Sequence, residues 1–308
     1  MVRIALVGCG AIARAQHLPA LSGGSGFELV ATVDPHAGLP GFAGHHYADH
    51  RAMLAAEHGL EAVSVASPTG THFAVARDAL MAGRHVMLEK PPATTLGEVV
   101  ELQRIAAERG RVLVTSFHAQ HNAAVERARE IIATHALPES VSIEWKEDFG
   151  RWHGRQAWPW QPGGFGVFDP GINALSVLCH VMPGAGFRVE RSRLRLPPGA
   201  ATPALVEMRL AWEGGAGDAA FEWRRGGEDV WNITLRGAFG ELLIRGVRTL
   251  LRDGAVILPA GPDVEYAGLY RSFRAAIAAG RSEVSLREMR IIEDAIAIAV
   301  VEHGGEAL

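Results

Sequence analysis

At 308 residues the chain has room for two hydrophobic cores, since a domain takes roughly 100–200 residues. A hydrophobic fraction of 48% with 21% charged residues excludes a disordered or fibrous chain, and a net charge of −4 without any Lys/Arg run leaves nucleic acid an unexpected partner. The two cysteines, Cys9 and Cys179, lack ligand-type spacing, which excludes a disulfide framework and a structural zinc site; no metal is expected, and a reducing compartment, the cytoplasm, is.

The first element, a strand over 2–7, is too short for a signal segment and runs into glycines. No later stretch is apolar enough to span a bilayer, so no membrane association is expected. Further strands are predicted at 28–33, 61–66, 85–89 and 111–117, alternating with helices near 11–22, 49–58, 72–82 and 95–109. That alternation is the pattern of a parallel sheet flanked by helices. The last of these helices opens on Thr95-Leu96-Gly97-Glu98, a capping-box spacing. After about residue 118 the rhythm changes: a helix at 122–135, a strand at 139–149, an aromatic loop over 151–166 and a helix at 168–182. Alternating runs within 187–258 predict antiparallel strands with one wet face. Helices at 266–279 and 286–302 close the chain.

Gly8-Cys9-Gly10-Ala11-Ile12-Ala13 stands between the first strand and the first helix, the setting of a dinucleotide fingerprint. The first glycine permits the tight turn, the second lets backbone N–H groups approach a pyrophosphate, and Ala13 allows close helix–strand packing. Gly8, Gly10, Ala11 and Ile12 are the expected cofactor contacts. Asp34 ends the second strand, where a carboxylate accepts hydrogen bonds from the adenosine ribose, although Asp34-Pro35 also suits a turn cap. A carboxylate there repels a 2′-phosphate, so NAD is favoured, while His36 leaves NADP possible. The expected fold class is α/β: an N-terminal Rossmann dinucleotide-binding domain, residues 1–118, then a C-terminal α+β domain, 119–308, with a largely antiparallel open sheet.

Leu88-Glu89-Lys90-Pro91-Pro92 puts Lys90 at the carboxyl end of a parallel strand, where ligands of such sheets gather and an ammonium can stabilise developing negative charge. The fingerprint, Ser67-Pro68-Thr69 with His72, Ala82-Gly83-Arg84-His85-Val86 leading to Glu89-Lys90-Pro91, and Gly163-Gly164 leading to Asp169 together resemble the glucose–fructose oxidoreductase, inositol dehydrogenase and MocA family. The resemblance covers most of the chain. It implies a lysine touching both cofactor and substrate, and adds Ser67, Pro68, Glu89 and Lys90 to the cofactor side. His72 resembles that family's cofactor-side histidine, with a helix-start role equally open. Asn173 stands in Asp169-Pro170-Gly171-Ile172-Asn173 where the wider family carries a catalytic histidine. With Trp145-Lys146-Glu147-Asp148, Arg151-Trp152-His153 and Gln161-Pro162-Gly163-Gly164, this departure is similar to the bacterial L-arabinose and D-galactose 1-dehydrogenase branch.

The same region has chemical content on its own. Sugars need carboxylate and amide partners for hydroxyls and flat apolar surfaces for C–H faces. Glu147, His153, Asp169 and Asn173 supply the first; Trp152 and Trp231, ahead of Trp158 and Trp160, are candidates for the second. Asp169 and Asn173, spaced i, i+4, share one helical face. His118 follows the last Rossmann strand and is a further substrate-side candidate. The expected activity is an NAD(P)-dependent aldose 1-dehydrogenase taking L-arabinose, D-galactose or D-fucose to the aldonolactone. Lys90, Asp169 and Asn173 are its expected catalytic group, Lys90 and Asp169 converging from separate domains. A cyclic polyol dehydrogenase of the same family and a non-catalytic dinucleotide sensor are the alternatives. A homo-oligomer is expected, a dimer first.

Overall fold

A computed structural model of the chain describes residues 1–154 and 156–304, without the side chain of Trp152. The chain divides into two compact units, residues 1–118 with 266–286, and residues 119–265 with those from 287 onward.

The first unit carries β1 (Val2–Val7), β2 (Phe27–Val33), β3 (His45–Tyr47), β4 (Ala62–Val65), β5 (His85–Leu88) and β6 (Leu113–Thr115). All pair in parallel, in the order β3-β2-β1-β4-β5-β6. β4 is buried at every position, as a strand covered on both faces must be. The strand order reverses between β1 and β4, and a ligand crevice opens at such a switch point. The helices are α1 (Leu18–Ser22), which continues a π-helical turn Ala13–His17, α2 (His50–Ala56), α3 (His72–Met81) and α4 (Leu96–Glu108). Thr95 caps α4 by accepting from the Glu98 N–H, but the Glu98 carboxylate reaches back to Thr94, one residue earlier than a capping box would have it. The sequence reading misses β3, a three-residue strand whose two histidines are exposed and give no apolar signal.

The second unit runs through α5 (Ala123–Ala133), β7 (Ser140–Asp148), the short α6 (Phe149–Trp152) and α7 (Phe168–Val181). Then come β8 (Arg188–Leu196), β9 (Leu205–Trp212), β10 (Gly215–Arg224), β11 (Val230–Gly237), β12 (Gly240–Arg245), β13 (Thr249–Arg252) and β14 (Ala255–Leu258). After α8 (Glu265–Ala279) follow α9 (Arg287–Ala297) and β15 (Val300–His303). The nine strands lie in the order β14-β13-β12-β11-β7-β10-β9-β8-β15. Pairing is antiparallel except for β7 with β10 and β8 with β15, so the sheet is mixed and mostly antiparallel. α7 is buried along nearly its whole length and packs on β7 and β11 as well as on α5 and α9. Alternate positions of the sheet carry charges that pair across strands, as Arg209 of β9 does with Asp218 of β10, or along one strand, as Lys146 does with Glu144 on β7, which gives the alternation its wet face.

Two departures from the sequence reading concern the end of the chain. The helix expected over 286–302 stops at Ala297, and Val300–His303 pairs in parallel with Arg193–Leu196 of β8. The β-branched pair Val300-Val301 fits a pleated edge better than a helical turn. α8 has the predicted amphipathic pattern, but its apolar residues Tyr266, Leu269, Tyr270 and Phe273 join Ile4, Phe27, Met87, Val112 and Val114 in a core of the first unit. Periodicity gives a helix its apolar face but does not say which sheet receives it.

Candidate active site

The dinucleotide end is built by close backbone approach. Gly8 has φ 94°, and a Cβ there would stand 2.6 Å from the backbone of Ala66 and Ser67, so any side chain would push away the loop that follows β4. That loop brings Ser67 and Pro68 beside the fingerprint. A Cβ on Gly10, by contrast, would meet nothing within 4 Å. The open space lies where a pyrophosphate would approach the first helical turn, in which Ala11 and Ile12 follow and Arg14 N–H closes on the Gly10 carbonyl. Ala13 is fully buried against Leu6 and Cys9, the close packing its size predicts. These residues fit a dinucleotide.

Asp34 does more than the sequence reading asks of it. One carboxylate oxygen accepts from Cys9 N–H at 2.9 Å, the other from His36 N–H at 2.9 Å and Ala37 N–H at 3.4 Å. It is therefore a turn cap that also ties β2 to the glycine loop, with roughly one of about four acceptor positions left for a ribose. Burial pushes its carboxyl up, but the three backbone donors outweigh that and hold it below the ordinary value of 3.8.

Behind Lys90 lies a buried polar cluster that sequence reasoning misses. Glu89, expected among the cofactor contacts, is turned into the interior. His17 Nε2 donates to its Oε1 at 3.0 Å, Tyr266 O–H donates to the same oxygen at 2.8 Å, and Lys90 N–H donates to Oε2 at 3.1 Å. His17 Nδ1 meets the Tyr270 hydroxyl at 2.8 Å, and Tyr270 donates on to Ser64 at 3.3 Å. Burial raises the Glu89 carboxyl, yet the hydrogen bond from His17 and the attraction of His17, His118 and Lys90 pull it far below the usual carboxylate range. His118 stacks on Tyr266, ring centroids 5.1 Å apart. His72, fully buried, reaches the carbonyls of both Ser67 and Pro91 and so braces the two loops against each other.

In the second unit the alternation of β7 places Trp145 and Glu147 on its buried face. Trp231 lies directly opposite Trp145 on β11, the two rings stacked at 6.0 Å, and both indole N–H groups donate to Glu147 Oε1, at 3.0 and 2.9 Å. Asp148 caps α6, and His153 follows. His153 packs face to face on Phe149 and against Trp158 and Trp223, while its Nε2 meets Asp169 Oδ2 at 3.3 Å. Asp169 lies in the first turn of α7, where the helix's unpaired N–H groups favour an anion. Gly171 is forced by packing, since a Cβ would sit 2.5 Å from the Phe221 ring.

One turn on, Asn173 is buried, and its Oδ1 has no hydrogen-bond partner among the described residues. The same holds for the indole N–H of Trp223, which pairs in register with Glu147. A buried polar atom without a partner costs about 1–3 kcal/mol. An unpaired acceptor and an unpaired donor flanking the His153–Asp169 pair are what a hydroxylated ligand would satisfy. Glu147, His153, Asp169, Asn173 and Trp231 thus share one unit and one set of packed elements. Trp158 bonds Gln156 and Trp160 packs on Phe149 and Trp223, so these two shape the loop. Trp152 ends α6, and its side chain lies outside the described residues. Trp223, His17, Tyr266 and Tyr270 are neighbours of the candidate site that sequence reasoning does not name, and Trp145 enters it only as part of a matched motif. Among the described residues no cluster could hold a metal ion, and no helix is long and apolar enough to cross a membrane.

The profile of an oxidoreductase family with an NAD-binding Rossmann fold, Gfo/Idh/MocA, matches residues 2–117. A galactose 1-dehydrogenase from Pseudomonas fluorescens is 34% identical over 298 residues, which is 95% of this chain and 94% of that protein. This chain belongs to the Gfo/Idh/MocA oxidoreductase family. A solved D-galactose-1-dehydrogenase from Rhizobium etli matches with a TM-score of 0.90 and 37% identity, over 98% of this chain and 96% of that one. A 3-ketoreductase from Actinomadura kijaniata, solved with NADP and TDP-benzene, shares the fold at a TM-score of 0.86 with 21% identity over 99% of both chains. As a family member the chain is an oxidoreductase using a nicotinamide dinucleotide, and the fingerprint, the parallel sheet and the mostly antiparallel second sheet expected of it are present.

Proposed function

We propose that this oxidoreductase is an aldose 1-dehydrogenase, oxidising the anomeric carbon of a pyranose of the L-arabinose, D-galactose or D-fucose type to its lactone, with NAD preferred over NADP. The observation that carries the reading is the buried, unpaired Asn173 Oδ1 one helical turn from the His153–Asp169 pair. The two galactose 1-dehydrogenases that match along nearly the whole chain support it.

A bound nicotinamide supplies the hydride acceptor. The protein's own residues do the rest. Lys90 draws electron density from the anomeric hydroxyl and lowers its pKa. Asp169, kept anionic by the start of α7 and oriented by His153, takes the hydroxyl proton. Asn173 Oδ1 and Trp223 Nε1 accept from and donate to neighbouring hydroxyls, Glu147 takes another, and Trp231 offers a flat face to ring C–H groups. His118, Ser67 and Pro68 complete the contacts. The enzyme works on this small molecule in the cytoplasm as a homo-oligomer, a dimer being checked by light scattering.

Initial rates across a panel of aldoses with both dinucleotides test the assignment. L-arabinose, D-galactose or D-fucose should drive reduction of NAD, while acyclic 2-hydroxy acids should not; silence across the aldoses removes it. Asp169→Asn should lower kcat by about 10²–10⁴ and abolish the acidic limb of the pH–rate profile. A variant keeping that limb and most of the rate would take the proton acceptor's role away from Asp169.

A further inference from the structure

Only two lysines occur in the sequence, Lys90 and Lys146, although Lys and Arg together number 30. Lys146 has a plain surface role, pairing with Glu144 at 2.6 Å on the wet face of the sheet. Lys90 sits at the end of β5 beside a buried carboxylate that is held with unusual completeness. Glu89 is faced by His17 from the helical turn after β1, by Tyr266 and Tyr270 from α8 with Ser64 of β4 behind them, by His118 from the turn after β6, and by Lys90 itself. Each side-chain polar atom of the chain Ser64–Tyr270–His17–Glu89–Tyr266 has a partner, Glu89 Oε2 taking the Lys90 backbone N–H and the others meeting one another. Three donors converge on Glu89. An ionised carboxylate so fixed acts on the neighbouring ammonium in two ways: through the hydrogen bond to the Lys90 backbone, and through charge transmitted in a low-dielectric interior.

We propose that Glu89, clamped by His17 and Tyr266, is a positioning residue that fixes Lys90 at the strand end and keeps its amine protonated, so that Lys90 serves as a cation and not as the proton acceptor. The consequence for turnover rests on the aldose dehydrogenase reading; the effect on Lys90 itself does not. It also accounts for a lysine here in a chain that nearly always uses arginine: a compact ammonium on a flexible stem suits a single point of charge, where a guanidinium presents a wide planar fork.

The scarcity of lysine makes the test direct. Reductive methylation of the full-length protein with ¹³C-formaldehyde labels Lys90, Lys146 and the N-terminus, and Lys146→Arg assigns the signals. The expected wild-type midpoint of Lys90 is at or above the ordinary lysine value of about 10.4, despite its partial burial. Glu89→Gln should lower that midpoint by about one unit or more. Tyr266→Phe keeps the charge and loosens the clamp, so the midpoint should hold while kcat falls several-fold and NADH affinity, read by fluorescence, is unchanged. A Lys90 midpoint below about 9 in the wild type, or one that Glu89→Gln leaves in place, overturns the proposal. The wild-type value decides the matter even where a variant does not fold. Should no aldose turn over while Lys90 shifts as expected, the function assignment fails and the positioning role stands.

Discussion

The two buried polar clusters of this enzyme are finished to different degrees. Around Glu89 each donor and acceptor of the Ser64–Tyr270–His17–Glu89–Tyr266 chain meets another from the same unit. Around Asp169 the account is left open: Asn173 Oδ1 and Trp223 Nε1 are buried without partners among the described residues. A closed network rigidifies what it contains, whereas an open one carries a desolvation cost that only a ligand removes. On the proposed reading, the contrast separates a part of the molecule that holds Lys90 still from a part that would receive the sugar.

Three experiments put that contrast to the test. The largest effect is expected from His17→Leu, which strips a buried carboxylate of a charged-group hydrogen bond. Its unfolding free energy should fall by about 3–5 kcal/mol in urea titrations, and an unchanged stability would show that the closed cluster holds nothing. Asn173→Leu should do the opposite: stability is kept or raised, because an unpaired buried oxygen is removed, while the sugar KM rises about tenfold. A marked loss of stability there would mean the amide is already serving the fold. The smallest effect is acid sensitivity. Glu89 has a folded-state pKa below its ordinary 4.5, so its contribution is complete above that pH and is lost as pH falls beneath it. The wild type should therefore lose stability below pH 4.5 at up to about 1.4 kcal/mol per pH unit from this group. Glu89→Gln should show a shallower slope.

How much could be read from the sequence followed from how local the physics is. Gly8 announces itself because a positive φ and a 2.6 Å backbone approach admit no side chain, and both arise within one turn. Asp169 and Asn173 are legible because i, i+4 spacing settles a shared helical face. His17 is not: its partner Tyr270 lies 253 residues away, and nothing in a lone histidine after a glycine turn names a tyrosine near the chain's end. Trp145 and Trp223 flank the site through strand register, β7 against β11 and β10, which alternation alone does not specify. The predicted terminal helix runs past Ala297 for a similar reason, since the free edge of β8 that captures Val300–His303 exists only once the sheet has formed.

The path of α8 has a consequence for how the protein is made. Tyr266, Leu269, Tyr270 and Phe273 cover the first unit's sheet, each large side chain contributing roughly 1.5–3 kcal/mol by its burial. During translation the cofactor-binding sheet must wait, one face only partly covered by Leu21 of α1, until the ribosome has delivered residues 266–286. Nascent chains paused earlier should depend on chaperones and be open to protease, and a gene truncated after residue 118 should yield an aggregate in place of a miniature dinucleotide binder.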